Sequence, residues 1–273
     1  FYRDHHPSTE HNLSVFGGTD DIDYYLSGRY YGSEGVFKVG NENFKKYNLR
    51  AKGTLKVRPW LRLTNNMSVS MNRDYIPMGS TNNSIQRYMQ HCLSPSAPLR
   101  NPDGTWTPAA GISGYAAFYE GNNYRTDNVI YLRDKISLDI DVIKDVLKLQ
   151  ADYSYNYTGR KVRRITNYVY YSKDPGVIIT ESTSVGNGLN EINYESNYQS
   201  VNAYATYTPR INKNNNLNLL LGYNVEWSDY TSTNAKRMGF TSSKPSFSLM
   251  DGEATLSSGG NQWAYLGTFV RAN

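Results

Sequence analysis

Residues 47–72 read Tyr47-Asn48-Leu49-Arg50-Ala51-Lys52-Gly53-Thr54-Leu55-Lys56-Val57-Arg58-Pro59-Trp60-Leu61-Arg62-Leu63-Thr64-Asn65-Asn66-Met67-Ser68-Val69-Ser70-Met71-Asn72. Every second residue from Tyr47 to Val57 is apolar or small, and Asn48, Arg50, Lys52, Thr54 and Lys56 lie between them. After Arg58-Pro59 the pattern resumes: Leu61, Leu63, Asn65, Met67, Val69 and Met71 alternate with Arg62, Thr64, Asn66, Ser68, Ser70 and Asn72. A period of two places alternate side chains on opposite faces of a strand, so the stretch is two β-strands, each with an apolar and a polar face. The short gap makes them an antiparallel hairpin. Pro59 cannot donate to a ladder and belongs in the turn. Each run is about a dozen residues, where a typical strand has roughly five or six. A strand tilted across a bilayer needs about 9–11.

Composition points the same way. The chain has 273 residues, a net charge of +5 and 25 tyrosines, but only 38% hydrophobic residues. Its mean hydropathy is −0.65. So polar a chain has little with which to build a conventional core. It suits alternating strands on which tyrosine rings lie on the apolar side and their hydroxyls reach water. No apolar run is long enough for a transmembrane helix, an absence that leaves strand-crossing proteins open, because their lipid-facing and lumen-facing residues alternate. The basic residues are strung along strand faces (Lys46, Arg50, Lys52 and Lys56 on one of them) and do not form a compact nucleic-acid patch. A solvated strand face accounts for them. Cys92 is the single cysteine, so no internal disulfide forms, and His5, His6, His11 and His91 lack metal-ligand spacing. No cofactor or metal site is expected.

Outward from the hairpin, the same reading gives strands at 11–18, 22–32, 136–142, 147–158, 198–208 and 217–227, and a final one after Trp263. Ile85–Leu93 is expected to form a short helix. Asn101-Pro102-Asp103-Gly104 is a turn sequence. The reversals near Asp20, Pro59, Lys144 and Asn212 are short, while those near Gly35, Pro98, Gly176 and Asp251 are longer. In a meander, alternate connections fall on opposite edges of the sheet. All short turns therefore share one edge and all long loops the other, as in an outer-membrane barrel. The expected long extracellular loops are 73–127, 159–192 and 228–261. Tyr30-Tyr31, Trp60, Tyr153-Tyr155-Tyr157 and Trp227 cluster near strand ends like an interfacial aromatic girdle. The fold class is all-β: an antiparallel transmembrane β-barrel, of which about nine strands are present. In lipid a sheet must close to satisfy its backbone.

Several segments resemble the start of the barrel in SusC-like TonB-dependent transporters of Bacteroidetes, the SusC/RagA family. They are His11-Asn12-Leu13-Ser14-Val15-Phe16-Gly17-Gly18-Thr19-Asp20 with Tyr24-Tyr25-Leu26-Ser27-Gly28, then Glu34-Gly35-Val36-Phe37-Lys38, Phe44-Lys45-Lys46-Tyr47-Asn48-Leu49-Arg50 and Trp60-Leu61-Arg62-Leu63. Tyr265-Leu266-Gly267 with Phe269 is similar to a later barrel strand. The resemblance implies a Gram-negative outer-membrane barrel of about 22 strands with an internal plug. It also implies energy from TonB, a SusD-like surface lipoprotein that closes over the mouth, and oligosaccharide cargo, or peptide in some members. Residues 1–273 are expected to be part of one barrel domain, without the amino-terminal plug, the TonB box or the carboxy-terminal strands.

For function, the loop aromatics Trp106, Tyr115, Tyr119, Tyr124, Tyr168, Tyr170 and Tyr171 are candidate stacking faces for cargo; loop packing or partner contact is the competing role for each. No catalytic residues are expected. An outer-membrane hydrolase would need a nucleophile, a histidine and a carboxylate in reach, and no Gly-x-Ser-x-Gly elbow occurs. A soluble carbohydrate-binding β domain shares the aromatics but requires the apolar stripes to be buried against a second sheet.

Overall fold

The computed structural model describes residues 2–78, 94, 96–120, 123–181, 187–209, 211, 217–240 and 245–273. The expected helix at Ile85–Leu93 lies outside the described residues. The strands are β1 (Ser8–Gly18), β2 (Ile22–Glu34), β3 (Asn43–Arg58), β4 (Leu61–Pro77), β5 (Tyr124–Ile143), β6 (Leu147–Thr166), β7 (Val169–Ser172), β8 (Ile178–Glu181), β9 (Gly188–Tyr207), β10 (Leu219–Met238) and β11 (Ala254–Ala272). Nine of them form one sheet in the order β1-β2-β3-β4-β5-β6-β9-β10-β11, every neighbouring pair antiparallel. The small β7–β8 hairpin stands apart from it.

Direct cross-strand partners share a face, so the register divides the side chains into two sets. Leu13, Gly28, Leu49, Val69, Leu132 and Tyr157 form one transverse row. One residue along, Ser14, Ser27, Arg50, Ser68, Arg133 and Asn156 form a row on the opposite face. A cavity of about 740 Å³ opens on the side of Ser14, Ser27, Arg50, Ser68 and Arg133, so the polar face is the concave one. Lys52 and Arg62 belong to it by alternation, as does Lys148, whose ammonium lies 3.4 Å from Asp139. The convex face leaves Leu13 73%, Leu49 60% and Leu221 56% exposed. An apolar face of this extent is costly in water and suited to lipid. Tyr30 and Tyr47 pack side by side on it, ring centres 5.2 Å apart, near the edge of the long connections. No helix among the described residues is long and apolar enough to cross a membrane.

The edge of short turns is built locally. The Thr19 hydroxyl accepts from the backbone N–H groups of Asp21 and Ile22. Pro59-Trp60 reverses β3 into β4, and Asp145 turns β5 into β6 with φ of 60°. On the other edge the strands run further into the connections than alternation indicates: β6 reaches Thr166, β9 begins at Gly188, β10 reaches Met238 and β11 begins at Ala254. Arg160–Arg164 and Asn190–Asn197 are polar apart from the paired Val162 and Ile192 and Tyr194, with no continuous apolar face. Hydrophobic alternation ends there, but the backbone ladder continues.

With one face of the sheet apolar and exposed and the other polar, the buried apolar residues gather at the long-connection edge. Phe37 and Phe118 meet edge-to-face at 5.0 Å. Trp106, Ala110, Ala116, Ala117 and Val169 form a second cluster, and Ile165, Leu189 and Met250 a third. Two short helices carry much of this core: α1 (Pro108–Ile112) and α2 (Tyr115–Glu120). Thr107 caps α1 by accepting from the Ala110 N–H, and Pro108 follows at the first helical turn.

Candidate functional site

Two regions position polar and aromatic groups together. The first is the assembly of long connections. Asn101-Pro102-Asp103-Gly104 makes its turn with Gly104 at φ 86° and its N–H bonded to the Asn101 carbonyl. The Asp103 carboxylate accepts from the Thr105 hydroxyl and N–H, and these bonds hold it below the usual carboxylate range. Its other oxygen accepts from the Gly176 N–H at 2.6 Å, which ties this loop to the one between β7 and β8. The Asn101 amide donates to the Ser172 carbonyl, and the Ser172 N–H donates to the Trp106 carbonyl.

Trp106 stands at the centre. It is 6% exposed, and its indole N–H donates to Glu120 Oε1 at 2.8 Å. The Arg100 guanidinium lies 3.6 Å from its ring centre and 5.5 Å from that of Tyr119. Tyr115 and Tyr119 meet the indole edge-on at 6.0 and 5.3 Å. Burial raises the Tyr115 phenol above its ordinary pKa, and the neighbouring Tyr119 adds to the shift. The structure thus brings Trp106, Tyr115, Tyr119 and Tyr171 into one packed unit, in which Tyr119 alone of the four is exposed, at 46%. Tyr124 is the first residue of β5 and stacks on Tyr75 at 5.1 Å. Tyr168 and Tyr170 sit on the flank of the β7–β8 hairpin and are exposed.

The second region is the concave face of β1–β5. Arg29, Lys46, Arg50 and Arg133 stand around the 740 Å³ cavity, and Ser14, Ser27, Ser68 and Ser70 line its floor. Arg50 Nε donates to Asn66 Oδ1 at 3.1 Å. Sequence reading found Arg50 and Lys46 as a solvated strand face. It missed the grouping, because Arg133 reaches the Arg50 row only through the register of β4 between them. Among the described residues no set of three or more histidine, cysteine, aspartate or glutamate side chains could hold a metal ion.

No family model and no curated protein matches the chain. Solved structures do. The RagAB peptide importer in its open-open state superposes with a TM-score of 0.72 at 18% identity, covering 98% of this chain and 30% of its own. A second structure, of the RagAB peptide transporter, gives 0.73 at 17%, covering 97% and 30%. BauA, the ferric preacinetobactin receptor from Acinetobacter baumannii, gives 0.52 at 10%, covering 100% and 37%. The fold is that of a TonB-dependent transporter barrel. The chain spans about a third of the length of these structures and forms a nine-strand sector of the barrel wall. The reported matches are structures of an importer and of a receptor.

Proposed function

We propose that the chain is a wall sector of a TonB-dependent transporter in the outer membrane of a Gram-negative bacterium, importing large polar nutrients. One observation carries the reading: a nine-strand antiparallel meander whose convex face is apolar and exposed, whose concave face is polar, and whose short and long connections occupy opposite edges. Such a sheet closes in lipid as part of a larger barrel, here of about 22 strands. The long-connection edge is the extracellular one. There a SusD-like lipoprotein closes over the mouth, and TonB supplies energy from the other side.

The cargo is an oligosaccharide. Exposed Tyr119, Tyr168 and Tyr170 offer it ring faces, Trp106, Tyr115 and Tyr171 hold the platform that carries them, and Tyr124 borders it. Peptide cargo is the second reading, favoured by the likeness to a peptide importer.

Deleting residues 100–122 in the intact transporter tests this assignment. Cargo uptake and lipoprotein association should both fall while surface expression is kept. If both survive, the loop is a seal over the mouth and carries no recognition. Supplying defined oligosaccharides and peptides in parallel decides between the two cargoes.

A further inference from the structure

The concave face is unevenly neutralised. Towards β6 its cations have carboxylate partners: Lys135 lies 3.2 Å from Asp152, Lys148 3.4 Å from Asp139 and Arg160 2.5 Å from Asp127. Around the cavity of β1–β5 the balance is different. Arg29 meets Glu10 at 3.0 Å, but Lys46, Arg50 and Arg133 have no ion-pair partner among the described residues. Arg50 and Arg133 share one transverse row with Ser68 between them, two inter-strand spacings or roughly 10 Å apart. Ser14, Ser27 and Ser68 in that same row leave the space above the sheet open, so the two guanidinium groups face a hollow and not packed side chains.

From this geometry we infer that the cavity between Arg50 and Arg133 is a binding site for the carboxylate groups of an acidic oligosaccharide, a polyuronate, on its way through the barrel. The inference rests on the transporter reading and narrows its cargo. Arginine forks match carboxylates, and two of them at this spacing would hold two successive acidic units. The remaining lining is hydroxyl and amide: Ser68, Ser70, Asn48 and Asn72, with Tyr25 and Tyr131. These groups exchange hydrogen bonds with sugar hydroxyls. A peptide also presents apolar side chains, and the polar face supplies no aliphatic residue to the cavity; Leu13, Leu49 and Val69 border it from rows that face the other way. The site lies towards the long-connection half of β3, at residues 46–50 of a strand that runs from 43 to 58, where cargo entering from that side arrives first.

The test uses the full-length transporter in detergent and three probes: hexameric oligogalacturonate, its fully methyl-esterified form and a hexaglutamate peptide. Calorimetry should show oligogalacturonate binding at least about tenfold more tightly than the neutral ester, and weakening as salt rises from about 0.05 to 0.5 M. The double variant Arg50→Gln/Arg133→Gln should lose at least about tenfold for oligogalacturonate only, and Arg50→Lys/Arg133→Lys, which keeps the charges but not the forks, should bind between that variant and the wild type. Ser68→Asp, which leaves both arginines in place and adds a carboxylate to the floor, should weaken binding as well; it serves if the double variant does not fold. Equal affinity for acid and ester, indifference to both the glutamine and aspartate variants, or tighter binding of hexaglutamate overturns the site. Uptake of a neutral oligosaccharide in clear preference to oligogalacturonate overturns the acidic preference alone and keeps the transporter. Failure to take up any oligosaccharide or peptide overturns both.

Discussion

Leu63 and Arg62 are neighbours in sequence that meet different solvents. Leu63 pairs with Leu55 and Leu138 on the convex face, while Arg62 pairs with Lys56 and Asp139 on the concave one. Leu63→Arg should cost about 2–4 kcal/mol if the position lies near the bilayer midplane, and Arg62→Gln should stay within about 0.5 kcal/mol. Urea unfolding of the intact transporter in vesicles measures both, and equal costs would mean the faces are assigned the wrong way round. Glu42, in the connection between β2 and β3, reports on a different balance. Burial raises its pKa above the ordinary glutamate value, and the charge of Asp74 adds to the shift. The folded state therefore binds the proton more tightly than the unfolded one. Stability contributed by the protonated form is present at acid pH and is lost as pH rises from the unfolded value of about 4.5 through the raised folded one. Glu42→Gln should raise the hydrogen-exchange protection factors of residues 35–42 at pH 7 and remove the change in those factors between there and acid. A wild-type loop whose protection factors fall on acidification would reverse the sign.

At the scale of the element, strands and loops were unequally legible. Alternation located the strands because a sheet with one apolar and one polar face imposes a strict period of two, and Leu49, Leu63 and Leu149 mark it without ambiguity. Strand ends were harder to place, since Arg160–Arg164 pair in the ladder with Val162 as their one apolar residue. The helices α1 and α2 escaped for another reason: they are one or two turns long, and their burial comes from other connections. Only Thr107-Pro108 announced a start. Trp106 shows what such a loop needs. Its sequence suggests an exposed stacking ring, whereas in the structure Arg100 covers one face and the edge is packed. Trp106→Ala should remove about 3–5 kcal/mol from the local stability of residues 96–120. Limited proteolysis should then nick this segment and spare the strands, which have their own ladders. If strand segments are cleaved together with the loop, the connections and the barrel wall unfold as one unit.

Over the whole molecule, the sheet's two outer strands decide what the chain can do in isolation. Among the described residues β1 pairs only with β2 and β11 only with β10. Each leaves a row of backbone N–H and C=O groups unmatched over 11 and 19 residues. Water can satisfy those groups, but the convex leucines then face water too. Lipid accepts the leucines and cannot satisfy the open edges, each group costing several kcal/mol. Neither solvent suits both features, and the packed clusters at the long-connection edge, built from small groups such as Trp106 with Val169 and Phe37 with Phe118, are too few to offset the difference. Closure by further strands meets both demands at once. Residues 1–273 expressed alone should therefore aggregate or pair through their edges, and should not give a monomer that melts cooperatively in plain buffer. Sedimentation and a thermal melt by circular dichroism check this. A monodisperse monomer with a sharp transition in buffer would show that the convex face tolerates water, and with it the membrane assignment would fall.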